Sequence, residues 1–284
     1  MLGLARFAMK SPLHTGVLAA VFAAIPMLYF VSAALVALTT LRHGITFGTR
    51  VLVMALVGGL FSWYMSGVPL SMLGLVVVTL LASVLKATNS WPYTLILGTV
   101  AAFVLSVLTQ TFYGEQLGDL LESLLQVLLS GANEPVEQQF IAVARSMVGF
   151  IFMSTQYTEA LLSLLLARYW QAGLYNPGGL SREMQQLRFS KAGIVLVLAA
   201  VVIMLFVNPG VSSLLFVPMA FIGLVTVHGV LKKLDLAVQW LIAFYVCLLL
   251  FIQFILPLLV LVVIVDSIVD LRSRIPERAK SDNE

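Results

Sequence analysis

The sequence predicts an all-α, polytopic transmembrane helix bundle of 8–10 helices with an outer amphipathic interfacial helix. Three observations carry this reading. Hydrophobic residues make up 61% of the 284 residues and charged residues only 10%, against roughly 45–50% and about 25% in soluble domains. The stretches 15–41, 51–85, 87–114, 192–231 and 236–265 contain no Lys, Arg, Asp or Glu, as expected where an ionised side chain would sit at costly bilayer depth. The remaining charges are sorted by sign between the connecting segments. So few charges cannot cover a water-soluble surface, which excludes a soluble monomer, and a net charge of +3 spread over loops does not make a nucleic-acid binder. Residues 1–271 read as a single transmembrane domain and 272–284 as a disordered cytoplasmic tail.

Each element follows from the need for about 20 mostly apolar residues per crossing. The first stretch, 15–41, carries Pro26 near its middle and reads either as one crossing or as a tight pair of short helices; its length as helix, ~40 Å, falls short of two full crossings. Residues 51–85 hold two spans, split at Ser66-Gly67-Val68-Pro69. Residues 87–114 form one more. In 115–129 the polar residues Glu115, Asp119, Glu122 and Gln126 recur at helical spacing opposite a leucine face, which predicts an amphipathic helix lying in the outer interface within an extracytoplasmic segment 115–142. A span over about 146–167 follows, then a basic loop, 168–191. Asn208-Pro209-Gly210 divides 192–231 into two spans. The last stretch, 236–265, carries Pro257 and poses the same question as the first.

Orientation is read from the loops. The segment 115–145 holds five acids and one base, so it faces away from the cytoplasm, whereas 168–191 holds Arg168, Arg182, Arg188 and Lys191 against Glu183 and faces in. Single crossings at either end would strand Arg6, Lys10, Arg272 and Arg274 outside. Short helix pairs at Pro26 and Pro257 bring both termini to the cytoplasm.

The chemistry is sparse. There is no phosphate-binding GxxxxGK[ST] loop, no HExxH and no GxSxG, and the one cysteine, Cys247, permits no intrachain disulfide. No metal site, cofactor or enzymatic activity is expected. Glu159 is the one acid well inside a predicted span, about 13 Å along the helix from Arg168. Arg145, Gly149, Gln156, Glu159 and Ser163 fall on one side of a helical wheel, and Gln156, Glu159 and Ser163 are the candidate substrate pocket, beneath the amphipathic outer helix. Such a polar stripe has to face the bundle interior or a water-filled cavity; it serves either as a substrate or proton site or as a buried acid that fixes helix packing. Asp266 and Asp270, just before Arg272 and Arg274, read as an interfacial ion-pair cluster. Ala19/Ala23 and Ala20/Ala24 recur at the four-residue spacing that lets helices approach closely, the candidate helix-packing contact.

The richest local string runs from Arg168 through Trp170, Gln171 and Tyr175 to Asn176-Pro177-Gly178-Gly179 and Arg182. Its aromatics anchor a helix end, its turn residues reverse the chain, and it is the candidate cytoplasmic interaction loop. This string, with the alanine-rich first segment, the Leu41-Arg42-His43-Gly44 step and the closing Asp266 to Arg272 pattern, resembles the YybS-like family of bacterial polytopic membrane proteins, a domain of unknown function. Leu180 stands where an aromatic is expected after the double glycine. In architecture that family is similar to the substrate-binding membrane subunits of energy-coupling-factor transporters. The resemblance implies a bacterial inner-membrane protein that binds a small molecule and leaves ATP hydrolysis to a separate subunit, with the alanine pairs facing a coupling subunit. The alternative is a non-catalytic scaffold that recruits cytoplasmic or envelope-assembly partners through 168–191. The bilayer is the certain partner, and the sequence leaves the oligomeric state open.

Overall fold

The computed structural model describes residues 2–129 and 134–275. Among the described residues all regular structure is helical, in fourteen α-helices and one 3₁₀ turn. Six helices are long and apolar enough to cross a membrane: α4 (Ile45–Ser66), α5 (Leu70–Thr88), α6 (Trp91–Leu129), α8 (Val148–Tyr175), α11 (Pro209–Lys233) and α13 (Ile252–Val269). A seventh span arises if α9 (Gly179–Gln186) and α10 (Lys191–Val207), bent by 68°, are counted together. Two shorter apolar helices, α2 (Pro12–Ala24) and α12 (Val238–Leu250), complete the set. These helices fit a multi-pass membrane protein.

The chain divides into two compact units where the sequence suggested one domain: 1–177 with 204–214, and 178–203 with 215–284. Gly178 marks the boundary, with its left-handed backbone (φ 80°) just after the Asn176-Pro177 step that stops α8.

In the first unit α3 (Tyr29–His43) is the axis. Most of its residues are buried on every side, and it packs against α2, α4, α5 and α8, so an apolar helix of small and aliphatic residues needs no polar face. α2 ends at Ala24, a 3₁₀ turn spans Pro26–Leu28, and the chain folds back, so that Ser32 Oγ donates to the Ala19 carbonyl at 2.7 Å. The first charge-free stretch is therefore a pair of short helices, of ~20 and ~22 Å. Small residues allow the approach: a Cβ on Gly58 of α4 would lie 1.9 Å from the Ala20 carbonyl oxygen, and one on Gly48 would lie 2.0 Å from Thr40 Oγ1. α4 stops at Gly67 (φ 75°) before Pro69, and α10 gives way to α11 at Asn208-Pro209; both breaks stand where the turn residues place them.

Three expectations are corrected. The amphipathic segment from Glu115 is not a separate interfacial helix. α6 runs without a break over 39 residues, about 58 Å, because a lone Gly114 and Gly118 weaken a helix without stopping it. Its C-terminal half pairs instead with α7 (Glu134–Ser146); residues 130–133 of the expected 115–142 segment lie outside the described residues. The second correction concerns 168–175, which are the last two turns of α8 rather than loop. The third concerns the expected tail. Residues 271–274 form a helical turn, α14, with Arg272 buried; residues 276–284 lie outside the described residues.

The second unit is built on α11, α12 and α13. The last apolar stretch is broken once, at Phe251, six residues before Pro257, which sits inside α13. One end of this unit is a polar buckle. Arg272 Nε and Nη2 donate to Asp266 Oδ2 at 3.1 and 2.8 Å, while Nη1 and Nη2 also donate to the carbonyls of Met184 and Leu187 at 2.9 and 2.5 Å. Lys233 Nζ donates to the Arg272 carbonyl at 2.7 Å, and Arg188 pairs with Asp270. The Asp266–Asp270 cluster thus joins the ends of α9, α11 and α13 through cations that include Arg188 and exclude Arg274. Hydrogen bonding to the Arg188 guanidinium holds the Asp270 carboxyl below the usual carboxylate range.

Candidate membrane-embedded polar site

Glu159 lies eleven residues into α8, ~17 Å from its start, which is near mid-depth for a ~30 Å hydrocarbon layer. One turn earlier on the same face is Gln156, 5% exposed. The group that joins them comes from 130 positions away. Tyr29, the first residue of α3 after the 3₁₀ turn, leans back toward the helix N-terminus, as side chains on helices do. Its hydroxyl lies 3.0 Å from Gln156 Oε1 and also bonds Glu159 Oε2. α5 closes the site: a Cβ on Gly74 would stand 2.7 Å from Gln156 Oε1 and 3.0 Å from Tyr29 Cε2, so only glycine lets both side chains lie against that helix.

The site therefore sits beside the turn of the short helix pair α2–α3. The gap between Ala24 and Tyr29 frees backbone groups that a continuous helix would use internally, and Glu159 faces the first residue beyond it.

Of the predicted pocket residues, Gln156 and Glu159 are brought together on Tyr29. Ser163 lies one turn further along α8 and donates to the Phe30 carbonyl at 3.2 Å, which ties α8 to α3. Arg145 and Gly149 do not continue the stripe. The helix breaks at Met147, so Arg145 is cut off from the wheel, whereas Gly149 stays on α8 but meets α6 instead. Arg145, in α7, reaches back to Asp119 at 2.9 Å and Glu122 at 2.5 Å on α6, and hydrogen bonds to these two acids hold its guanidinium above the ordinary arginine value. Gly149 N–H donates to Gln110 Oε1 at 2.8 Å, where α8 crosses α6 closely. The polar residues at the foot of α8 thus fasten the α6–α7 hairpin and leave Glu159 to Tyr29.

The candidate interaction string is spread over different duties. Trp170 is buried at 2% exposure. Arg168 Nη1 donates to Gln171 Oε1 at 3.0 Å, and Gln171 Nε2 donates to the Leu41 carbonyl at 3.3 Å, closing the C-terminus of α3. The Arg42 guanidinium lies 4.1 Å over the Tyr175 ring. Asn176, Pro177, Gly178 and Arg182 are exposed, and Gly179 is buried at the start of α9. The alanines of α2 pack within the chain: Ala19 and Ala23 are fully buried, and the Ala20 carbonyl meets Gly58; Ala24 is partly exposed.

Sequence reasoning missed Tyr29. The usable signal was its place, three residues after Pro26 in a stretch too long for one crossing and too short for two. No family model, curated protein or solved structure matches the chain.

Proposed function

We propose that the protein is a small-molecule-binding component of a membrane transport system, without catalytic activity of its own, whose binding site is formed by Tyr29, Gln156 and Glu159 at the α2–α3 turn. The observation that carries this reading is the joining of an intramembrane acid to a tyrosine at the start of α3. Ionisable residues within membrane spans are rare and mark substrate, ion or proton pathways, which favours a ligand site over a packing role. The scaffold reading has less to draw on, because Trp170 and Gln171 are engaged within the chain.

The resemblance to the YybS-like family extends the proposal to a bacterial inner membrane and to a separate ATP-hydrolysing partner. The fold-back at Pro26 supports a cytoplasmic N-terminus, since it returns Arg42 to the side of Arg6 and Lys10, as positive-inside sorting favours. The hydrogen bond from Lys233 Nζ to the Arg272 carbonyl keeps the C-terminal segment beside basic residues that positive-inside sorting favours in the cytoplasm.

The test is purification of the intact chain in a mild detergent, with mass spectrometry of the small molecules released on denaturation. A compound recovered near one per chain from the native protein and lost in Glu159→Gln supports the proposal. An identical set of released molecules from both proteins contradicts it.

A further inference from the structure

The Tyr29 hydroxyl has one proton and two acceptors facing it, Gln156 Oε1 and Glu159 Oε2. It cannot donate to both. With Gln156 presenting its carbonyl oxygen, the phenol proton belongs to Gln156, and the bond between Tyr29 and Glu159 then needs a proton on the carboxyl: Glu159 O–H donates to Tyr29, and Tyr29 O–H donates to Gln156. With the carboxyl ionised, the phenol proton must turn to Glu159, and Gln156 completes the chain only by rotating its amide to offer N–H to the phenol oxygen.

We propose, building on the transport reading above, that Glu159 binds and releases one proton, and that Tyr29 and Gln156 convert its occupancy into the direction of this hydrogen-bond chain. On release, the Glu159 O–H bond breaks and its proton leaves to solvent. Tyr29 keeps its own proton but redirects it from Gln156 to the carboxylate, and the Gln156 amide turns over. No other covalent bond changes. Because Gly74 lies against Gln156 Oε1 and the Tyr29 ring, the rotation is felt at the contact between α5, α3 and α8, beside the α2–α3 turn where the ligand would sit.

The surroundings leave this duty to Glu159. From α3 the facing titratable group is Tyr29, with Arg42 and His43 at the opposite end of that helix. α5 faces the site with Gly74 and carries Lys86 only in its last turn. α6 has no Asp, Glu, Lys, Arg or His between Trp91 and Gly114. On α8 itself, Tyr157 is turned away and donates to the Leu95 carbonyl at 2.7 Å, and Arg168 lies ~13 Å along the axis. Arg6, in the short first helix Leu2–Ala8, belongs to the end of the unit where Leu2 meets Gly173. With no cation beside it among the described residues, an acid at this depth is neutralised by a proton.

The experiment is infrared difference spectroscopy of the intact purified protein, without added ligand, titrated between about pH 4 and pH 10, with glutamine side chains isotopically labelled. The expected result is one protonated-carboxyl band that grows as the pH falls, accompanied over the same interval by a change in a glutamine amide band. Both are absent in Glu159→Gln. In Tyr29→Phe, which keeps the ring, the carboxyl band remains but the linked glutamine change is lost. A carboxyl band that persists in Glu159→Gln, no titrating carboxyl band in the native protein, or a glutamine change that survives in Tyr29→Phe overturns the proposal. The readout is the protein's own carboxyl and glutamine bands rather than a released compound, so its failure is separate from failure of the ligand-binding reading.

Discussion

Removing the Arg272 side chain is the most severe single change available in the second unit. Arg272 and Asp266 are 5% and 1% exposed, so the ion pair is shielded from water. Arg272→Ala deletes the donors to Asp266, to the Met184 carbonyl and to the Leu187 carbonyl together. What remains is a buried carboxyl without its cation. Breaking such a pair costs about 3–5 kcal/mol; at about 1.4 kcal/mol per factor of ten, local opening becomes roughly 10²- to 10⁴-fold more frequent. Hydrogen–deuterium exchange read by mass spectrometry in detergent measures this segment by segment. Protection should fall in peptides covering 181–190 and 266–275 and stay constant in α3. Replacing both partners by apolar residues, Arg272→Met with Asp266→Leu, should recover most of the loss, because no charge is left buried. Unchanged exchange in Arg272→Ala, or a double variant less protected than the single one, would refute the reasoning.

Gly58→Ala places a Cβ 1.9 Å from the Ala20 carbonyl oxygen and should cost about 1–3 kcal/mol by forcing α2 from α4, seen as a lower melting temperature in detergent; Gly3→Ala, with open space around it, serves as the control and should leave the melting temperature unchanged. Because its ion pair holds Asp270 below the ordinary carboxylate range, this carboxylate contributes stability that is complete above about pH 4, the unfolded value, and is lost as the pH falls through the lower folded value. Asp270→Asn should remove that acid-side component, which acid titration of the melting temperature would reveal. Spin labels at Val100 and Leu124, both on exposed positions of α6, should lie ~36 Å apart along an unbroken helix; a clearly shorter separation means that the helix turns into the interface after all.

The sequence made the membrane architecture legible because hydropathy and charge report directly on solvent. The interruptions at Gly67 and Asn208-Pro209 were equally readable, since Gly and Pro act locally on the backbone. What escaped depends on partners or on the absence of a signal. An amphipathic stripe from Glu115 onward specifies which face is wet, but it contains no break, so it could not distinguish a helix lying in the interface from the C-terminal half of α6. The wheel joining Arg145 to Glu159 assumed an unbroken helix, and nothing in Arg145-Ser146-Met147-Val148 announces the stop at Met147. Pro257 pointed to the right stretch but the wrong residue: the break falls at Phe251 and Pro257 is carried inside α13. Glu159 stood out as a lone acid in an apolar run. Its partner Tyr29 did not, because that contact exists only once α3 has folded back against α8.

The central claim is that Tyr29, Gln156 and Glu159 form a ligand site, and occupancy measured against the Tyr29→Phe variant tests it most directly. Quantitative mass spectrometry of molecules released from equal amounts of the native chain, Tyr29→Phe and Glu159→Gln should find one compound near stoichiometric in the first, reduced in the second and lost in the third. Equal recovery from all three, with the variants folded as judged by their melting temperatures, would contradict the account.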